Sequence, residues 1–133
     1  MPMVQQKLPD IHAPISLGEL VDKVTILQIK AAHVQGTALE NVRKELAFLE
    51  QKLDALPVKL DPLFIHRLKD VNMQLWQIED SIRGKERAQD FGDAFIQLAR
   101  SVYQQNDLRA AIKKEINSAY GSSLVEEKAY EDY

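Results

Sequence analysis

Two rows of polar side chains stand where helical periodicity reserves positions for a core, and their residue types are those that hold anions or pair with one another. Along the last third of the chain the apolar residues recur as Phe91, Phe95, Leu98 and Val102, then resume at Ile112, Ile116 and Tyr120. The positions due inward in the gap are Asn106 and Arg109, with Tyr103 beside them and Lys113 and Asn117 continuing the row. In the preceding apolar stripe Asn72 lies between Leu68 and Trp76 at four-residue spacing, and Glu79 and Arg83 extend the line. Near the other end of the chain Asp22 has apolar neighbours on both sides.

Such rows admit three readings. The first is a solvated face, because the free end of a long helix is polar all round. The second is a hydrogen-bonded network, required if the rows face each other, since buried charges are costly unless paired. The third is a pocket for an anionic metabolite, with Asn72, Trp76, Tyr103, Asn106 and Arg109 as the candidate ligand-binding residues. Trp76 reads first as a core anchor with its indole N–H satisfied by a neighbour, and second as a stacking platform. If the two helices run antiparallel, Asn72, Tyr103, Asn106 and Arg109 should meet. Lys113 should then reach toward Phe64, and Glu79 and Arg83 should lie near Phe91 and Phe95.

Other chemistries find no support. His12, His33 and His66 form no Glu-x-x-His pair, so neither a di-metal bundle nor any other metal site is expected. There is no serine in a G-x-S-x-G turn and no glycine-rich phosphate loop, so no catalytic residue is assigned and no cofactor is expected. The absence of cysteine rules out disulfides and thiolate sites. A net charge of −3 gives no broad reason to bind nucleic acid or an anionic membrane surface. No apolar run approaches the roughly 20 residues of a spanning helix, and the N-terminus lacks the pattern of a secretory signal. A soluble, cytoplasmic protein is expected.

The elements that must position these residues read as four helices in a single domain of 133 residues. Pro2, Pro9 and Pro14 make residues 1–15 an extended arm, whose Val4, Leu8 and Ile11 are expected to lie partly against the body. Ser16 and Glu19 form a capping box that starts the first helix, with Ile15 and Leu20 at staple spacing. The face Leu17, Leu20, Val21, Val24, Leu27, widened by Ile26 and Ile29, should contact two neighbours before Gly36 ends the helix. A narrow stripe from Leu39 to Leu56 marks the second helix, which starts near Thr37 and stops before Pro57. Asp61 and Pro62 open the third, and Gly84 should close it. Asp90 should cap the fourth and longest helix, which ends at Gly121. Residues 122–133 show no helical period and form a C-terminal tail. The fold class is therefore all-α, a four-helix up-down bundle or extended helical hairpins with one long C-terminal helix. One end of that helix should overhang, leaving Ile112, Ile116 and Tyr120 to be covered by the tail or by a second subunit.

Three segments carry a resemblance: SLGELVDKVTILQIK (Ser16 to Lys30), VNMQLWQIEDSIR (Val71 to Arg83), and LARSVYQQNDLRAAIKKEIN with GSSLVEEKAYEDY behind it (Leu98 to Tyr133). Together they resemble a family of small all-helical bacterial proteins of unknown function. The resemblance implies which residues belong together and brings no activity. Helical chorismate mutases also hold a dicarboxylate among cations inside helices, but their order of charged positions is not present here, so that likeness is one of architecture alone.

The leading functional expectation is a non-enzymatic helical module, coiled-coil-like, that self-associates as a homodimer and docks a protein partner. The alternative is a small-molecule binding protein or enzyme using the polar row inside the bundle.

Overall fold

The computed structural model describes residues 6–133, and the described chain forms four helices: α1 (Leu17–Ala31), α2 (Gly36–Asp54), α3 (Pro62–Arg87) and α4 (Asp93–Tyr120). The all-α class and the four helices agree with the periodicity. Pro2 and Val4 of the expected arm lie outside the described residues. The rest of the arm does not lie against the body: Leu8 and Ile11 are over four-fifths exposed, because no helix offers them an apolar surface.

α1 is the central helix. It packs on all three others, whereas two neighbours were expected, and α2 touches no other helix. Gly18, Val21, Asp22 and Thr25 occupy the side toward α3 and α4, while Leu20, Val24 and Leu27 are buried on a different side and must therefore serve α2. α3 and α4 run antiparallel, as Arg67 paired with Glu115 and Phe64 against Tyr120 show. α1 lies parallel to α3, with Asp22 beside Asn72 and His33 beside Trp76. The main core joins Val21, Leu68, Val71, Ile112 and Ile116, with Leu53 at the end of α2 packed against it. No residue of α2 is fully buried, which follows from its resting on one helix only.

Several helix ends differ from expectation. α1 stops at Ala31, where the Ala32, His33 and Val34 N–H groups bond back to Ile29 and Lys30, and Gly36 instead opens α2 with φ +63°. Gly84 does not close α3, which runs on to Arg87. There Gln89 takes the left-handed conformation (φ 55°), and the Gln89 and Asp90 N–H groups reach back to Glu86 and Lys85 in a Schellman closure. Asp90 is thus a turn residue and not the cap of α4, whose N-cap is Gly92. The Gly92 N–H and then Lys85 hold the Asp90 carboxyl below the usual aspartate range. With these extra residues α3 has 26 against 28 in α4, so the two form a long hairpin of nearly equal arms.

The overhang is therefore at the other end from the expected one. Ile112 and Ile116 are buried within the chain, and the Tyr120 hydroxyl accepts the Asp61 N–H at 2.8 Å. It is the far half of the α3–α4 hairpin that outreaches α1. Among the described residues no helix is long and apolar enough to cross a membrane.

Half of the capping box forms. Ser16 Oγ accepts the Glu19 N–H at 3.1 Å, but the Glu19 carboxylate turns to Lys113 rather than back to Ser16. Ser16→Ala should lower stability by about 1 kcal/mol in urea denaturation with the slope unchanged. A loss near zero would assign the start of α1 to its other contacts.

Candidate functional site

Asp22 is the hub of the polar rows, with no solvent exposure. Arg109 from α4 grips its carboxylate with both Nε, at 2.9 Å, and Nη2. Asn72 from α3 donates Nδ2 to Asp22 Oδ1 and to Thr25 Oγ1, each at 2.9 Å, and Thr25 in turn donates to the Asp22 carbonyl at 2.8 Å. Lys113 Nζ stands 3.8 Å from Asp22 Oδ2 and donates to Glu19 at 2.7 Å and to Glu126 at 3.0 Å. Each charge in this buried group has an opposite partner, which is what makes its burial tolerable. The side-chain bond from Asp22 outweighs burial and raises Arg109 further above its ordinary value. For Lys113 burial is the largest single influence and would lower it, but Glu19, Glu126 and Asp22 together outweigh burial and raise it. Both groups therefore remain cations.

The network depends on a close approach of α1 and α4. Gly18 has no side chain to separate them: a Cβ there would stand 2.5 Å from the Lys113 carbonyl oxygen. The Gly18 N–H donates to Asn117 Oδ1 at 2.7 Å and the Leu17 N–H to Ser122 Oγ at 3.2 Å. With Ser16 capping Glu19, the free donors of the first turn of α1 are taken up, two of them by the far end of the chain.

Beyond Ser122 the tail folds back along α4. Glu126 meets Lys113, Lys128 meets Asp107, and the Tyr133 ring packs on Tyr103 with centroids 4.9 Å apart. Between tail and helix lies a cleft of about 690 Å³, bordered by Arg109, Lys113 and these tyrosines. A second cleft, of about 660 Å³, opens where α1 ends and the hairpin continues. Ile26, Ile29, Leu75 and Trp76 form its apolar walls, and Asn72, Asn106 and Arg109 its polar floor. The Trp76 ring rests against His33 with centroids 4.6 Å apart, and its Nε1 is buried without a hydrogen-bond partner.

Asn72 and Arg109 thus meet, as expected, but through Asp22 of α1 rather than directly. Asn106 and Trp76 border the second cleft with them. Tyr103 is 42% exposed and faces the tail, so it meets Asn106 and Arg109 at the first cleft but not Asn72. Lys113 points to Glu19 and Glu126 instead of Phe64, because carboxylates are the stronger attraction for a buried ammonium. Glu79 and Arg83 pair weakly with each other at 3.9 Å and border the second cleft rather than packing at Phe91 and Phe95, whose rings pack together. Gly18, Thr25 and Glu126 carry no periodic signal that would single them out in the sequence. Among the described residues no cluster of three His, Cys, Asp or Glu side chains is placed to hold a metal.

A protein-family model described as a family of unknown function (DUF6165) matches residues 11–133. No curated protein and no solved structure matches the chain.

Proposed function

We propose that this chain, which belongs to that family of unknown function, is a helical self-association module whose partner is a second copy of itself, paired through the far half of the α3–α4 hairpin. One observation carries the reading: from Met73 to Ala111 no residue is fully buried, although the segment is helical on both sides of one short turn. Leu75, Ile78 and Ile82 of α3 and Phe95, Leu98 and Val102 of α4 form a seam that two helices alone leave half-open. Ile96 and Phe91 are 49% exposed beside it. Two more helices laid against this seam would complete a four-helix arrangement.

The charges select a second copy, laid antiparallel. Along α3 the acidic Glu79 and Asp80 lie toward the body, and the basic Arg83, Lys85 and Arg87, with one acid, Glu86, among them, toward the tip. Along α4 the order is opposite, with Asp93 at the tip and Arg100 toward the body. An antiparallel pair of hairpins places each basic stretch against the acidic stretch of its mate, the self-complementarity that a two-fold interface requires. The cysteine-free sequence supports a reducing compartment such as the cytoplasm.

Sedimentation should give a dimer at tens of micromolar. Ile96→Glu should weaken association about 100-fold or more with helix content retained. Arg83→Glu should also weaken it, and adding Glu79→Arg should restore it. A wild-type monomer at high micromolar concentration would overturn the proposal.

A further inference from the structure

The second cleft gathers polar groups that the protein itself does not use. Asn72 is 94% buried, and both acceptors of its Nδ2 hold the amide in one orientation, since a carboxylate can only accept. Its Oδ1 consequently points away from Asp22 and has no partner among the described residues. One helical turn on, the Trp76 Nε1 donor is likewise unpaired. Across the cleft, Asn106 on α4 makes no hydrogen bond to any described residue, leaving a donor and an acceptor free. Buried polar groups are normally satisfied, so the buried, unpaired Trp76 indole donor, with the Asn72 and Asn106 amides open to the same apolar-walled space, marks a place for a ligand.

The rim specifies more. Lys30 forms no ion pair within the described residues and is the rim cation available for an anionic group, since Arg83 is taken by Glu79 and by the proposed dimer. Glu79 and Asp80 stand at the same rim and can accept hydrogen bonds from hydroxyls. Arg109, by contrast, is engaged by Asp22 and contributes shape rather than free charge.

We propose that this cleft binds a nucleoside monophosphate. The amide-type edge of its base would bond to Asn72 and Asn106 beside Trp76. The sugar hydroxyls would face Glu79 and Asp80, and the phosphate would meet Lys30. A planar base presents both a donor and an acceptor on one edge, which matches the two asparagines. The volume of about 660 Å³ falls among those of small-molecule sites.

Trp76 is the sole tryptophan, so its fluorescence reports on this cleft alone. The full chain is titrated with purine and pyrimidine nucleoside 5′-monophosphates, the matching nucleosides, and inorganic phosphate at constant ionic strength. At least one monophosphate should give a saturable change, with its nucleoside about tenfold weaker or more and phosphate alone without effect. Asn106→Ala, and separately Lys30→Ala, should each weaken binding at least about tenfold while the melting temperature stays put. Asn106 makes no bond that holds the fold, so its variant keeps the test meaningful. The proposal fails if no monophosphate is bound at about 1 mM, if the variants bind as wild type does, or if inorganic phosphate reproduces the response.

Discussion

Arg109→Ala should cost about 3–5 kcal/mol of unfolding free energy, the largest loss expected from any single side chain in the molecule. The reason lies in what stays behind. Asp22 has no solvent exposure, and Arg109 supplies the only bidentate contact to its carboxylate. Asn72 would still donate one bond, and Lys113 at 3.8 Å is already committed to Glu19 and Glu126. The carboxylate would be left with neither water nor a close cation. Urea denaturation measures the loss directly. A double change, Asp22→Asn with Arg109→Leu, should recover part of it, because no charge is then left buried while Asn72 keeps an acceptor of unchanged size. If the double variant is as damaged as the single one, the pair matters for something other than compensating a buried charge.

Gly18→Ala should be nearly as harmful, at roughly 2–4 kcal/mol, although it adds a single methyl group to a helix. Alanine is ordinarily the better helix former by about 1 kcal/mol, so the sign of the result separates two effects. Here the new Cβ would meet the Lys113 carbonyl at 2.5 Å and its Cα at 3.0 Å, and backbone on a packed helix does not step aside as a flexible side chain can. α1 and α4 must part. That would stretch the Gly18–Asn117 bond and disturb Lys113 beneath it. The same substitution at Gly84, whose Cβ would meet nothing within 4 Å, should be neutral or mildly stabilising. Thermal melts of the two alanine variants make the comparison. Equal melting temperatures would show that α1 and α4 are less closely bound than their contact implies.

What could be read from the sequence was whatever is encoded locally. The stripes of α1, α3 and α4 and the Ser16 and Asp61 caps lie within a turn or two of the residues they organise. The polar interruptions at Asn72, Asn106 and Arg109 were visible for the same reason. Their partner was harder to identify. Asp22 stood out as an aspartate among apolar residues, yet nothing near it in sequence says that its cation lies 87 residues away. Gly18 looks like an ordinary small residue inside a capping motif until the helix crossing it is known. The tail was illegible because its pairing rests on isolated contacts, Glu126 with Lys113 and Tyr133 with Tyr103, and these have no period. Helix ends misled where two signals competed: Gly84 is a breaker, but the good helix formers Lys85, Glu86 and Arg87 behind it carry α3 on until Gln89 can turn.

The way the two extremities of the chain are tied together bears on how the protein is made. The first turn of α1 is completed by Asn117 and Ser122, and its buried carboxylate by Arg109, all synthesised well after α1 itself. A ribosome adding about 5–20 residues per second exposes α1 for several seconds before these partners emerge. During that interval the Asp22 carboxylate must stay in water, so α1 can form as a helix but cannot seat itself. Docking then waits for α4 and follows its release, as expected for a topology in which distant segments meet. Termination before Arg109 would leave the Asp22 carboxylate without its cation, so α1 can seat itself only on chains translated through α4.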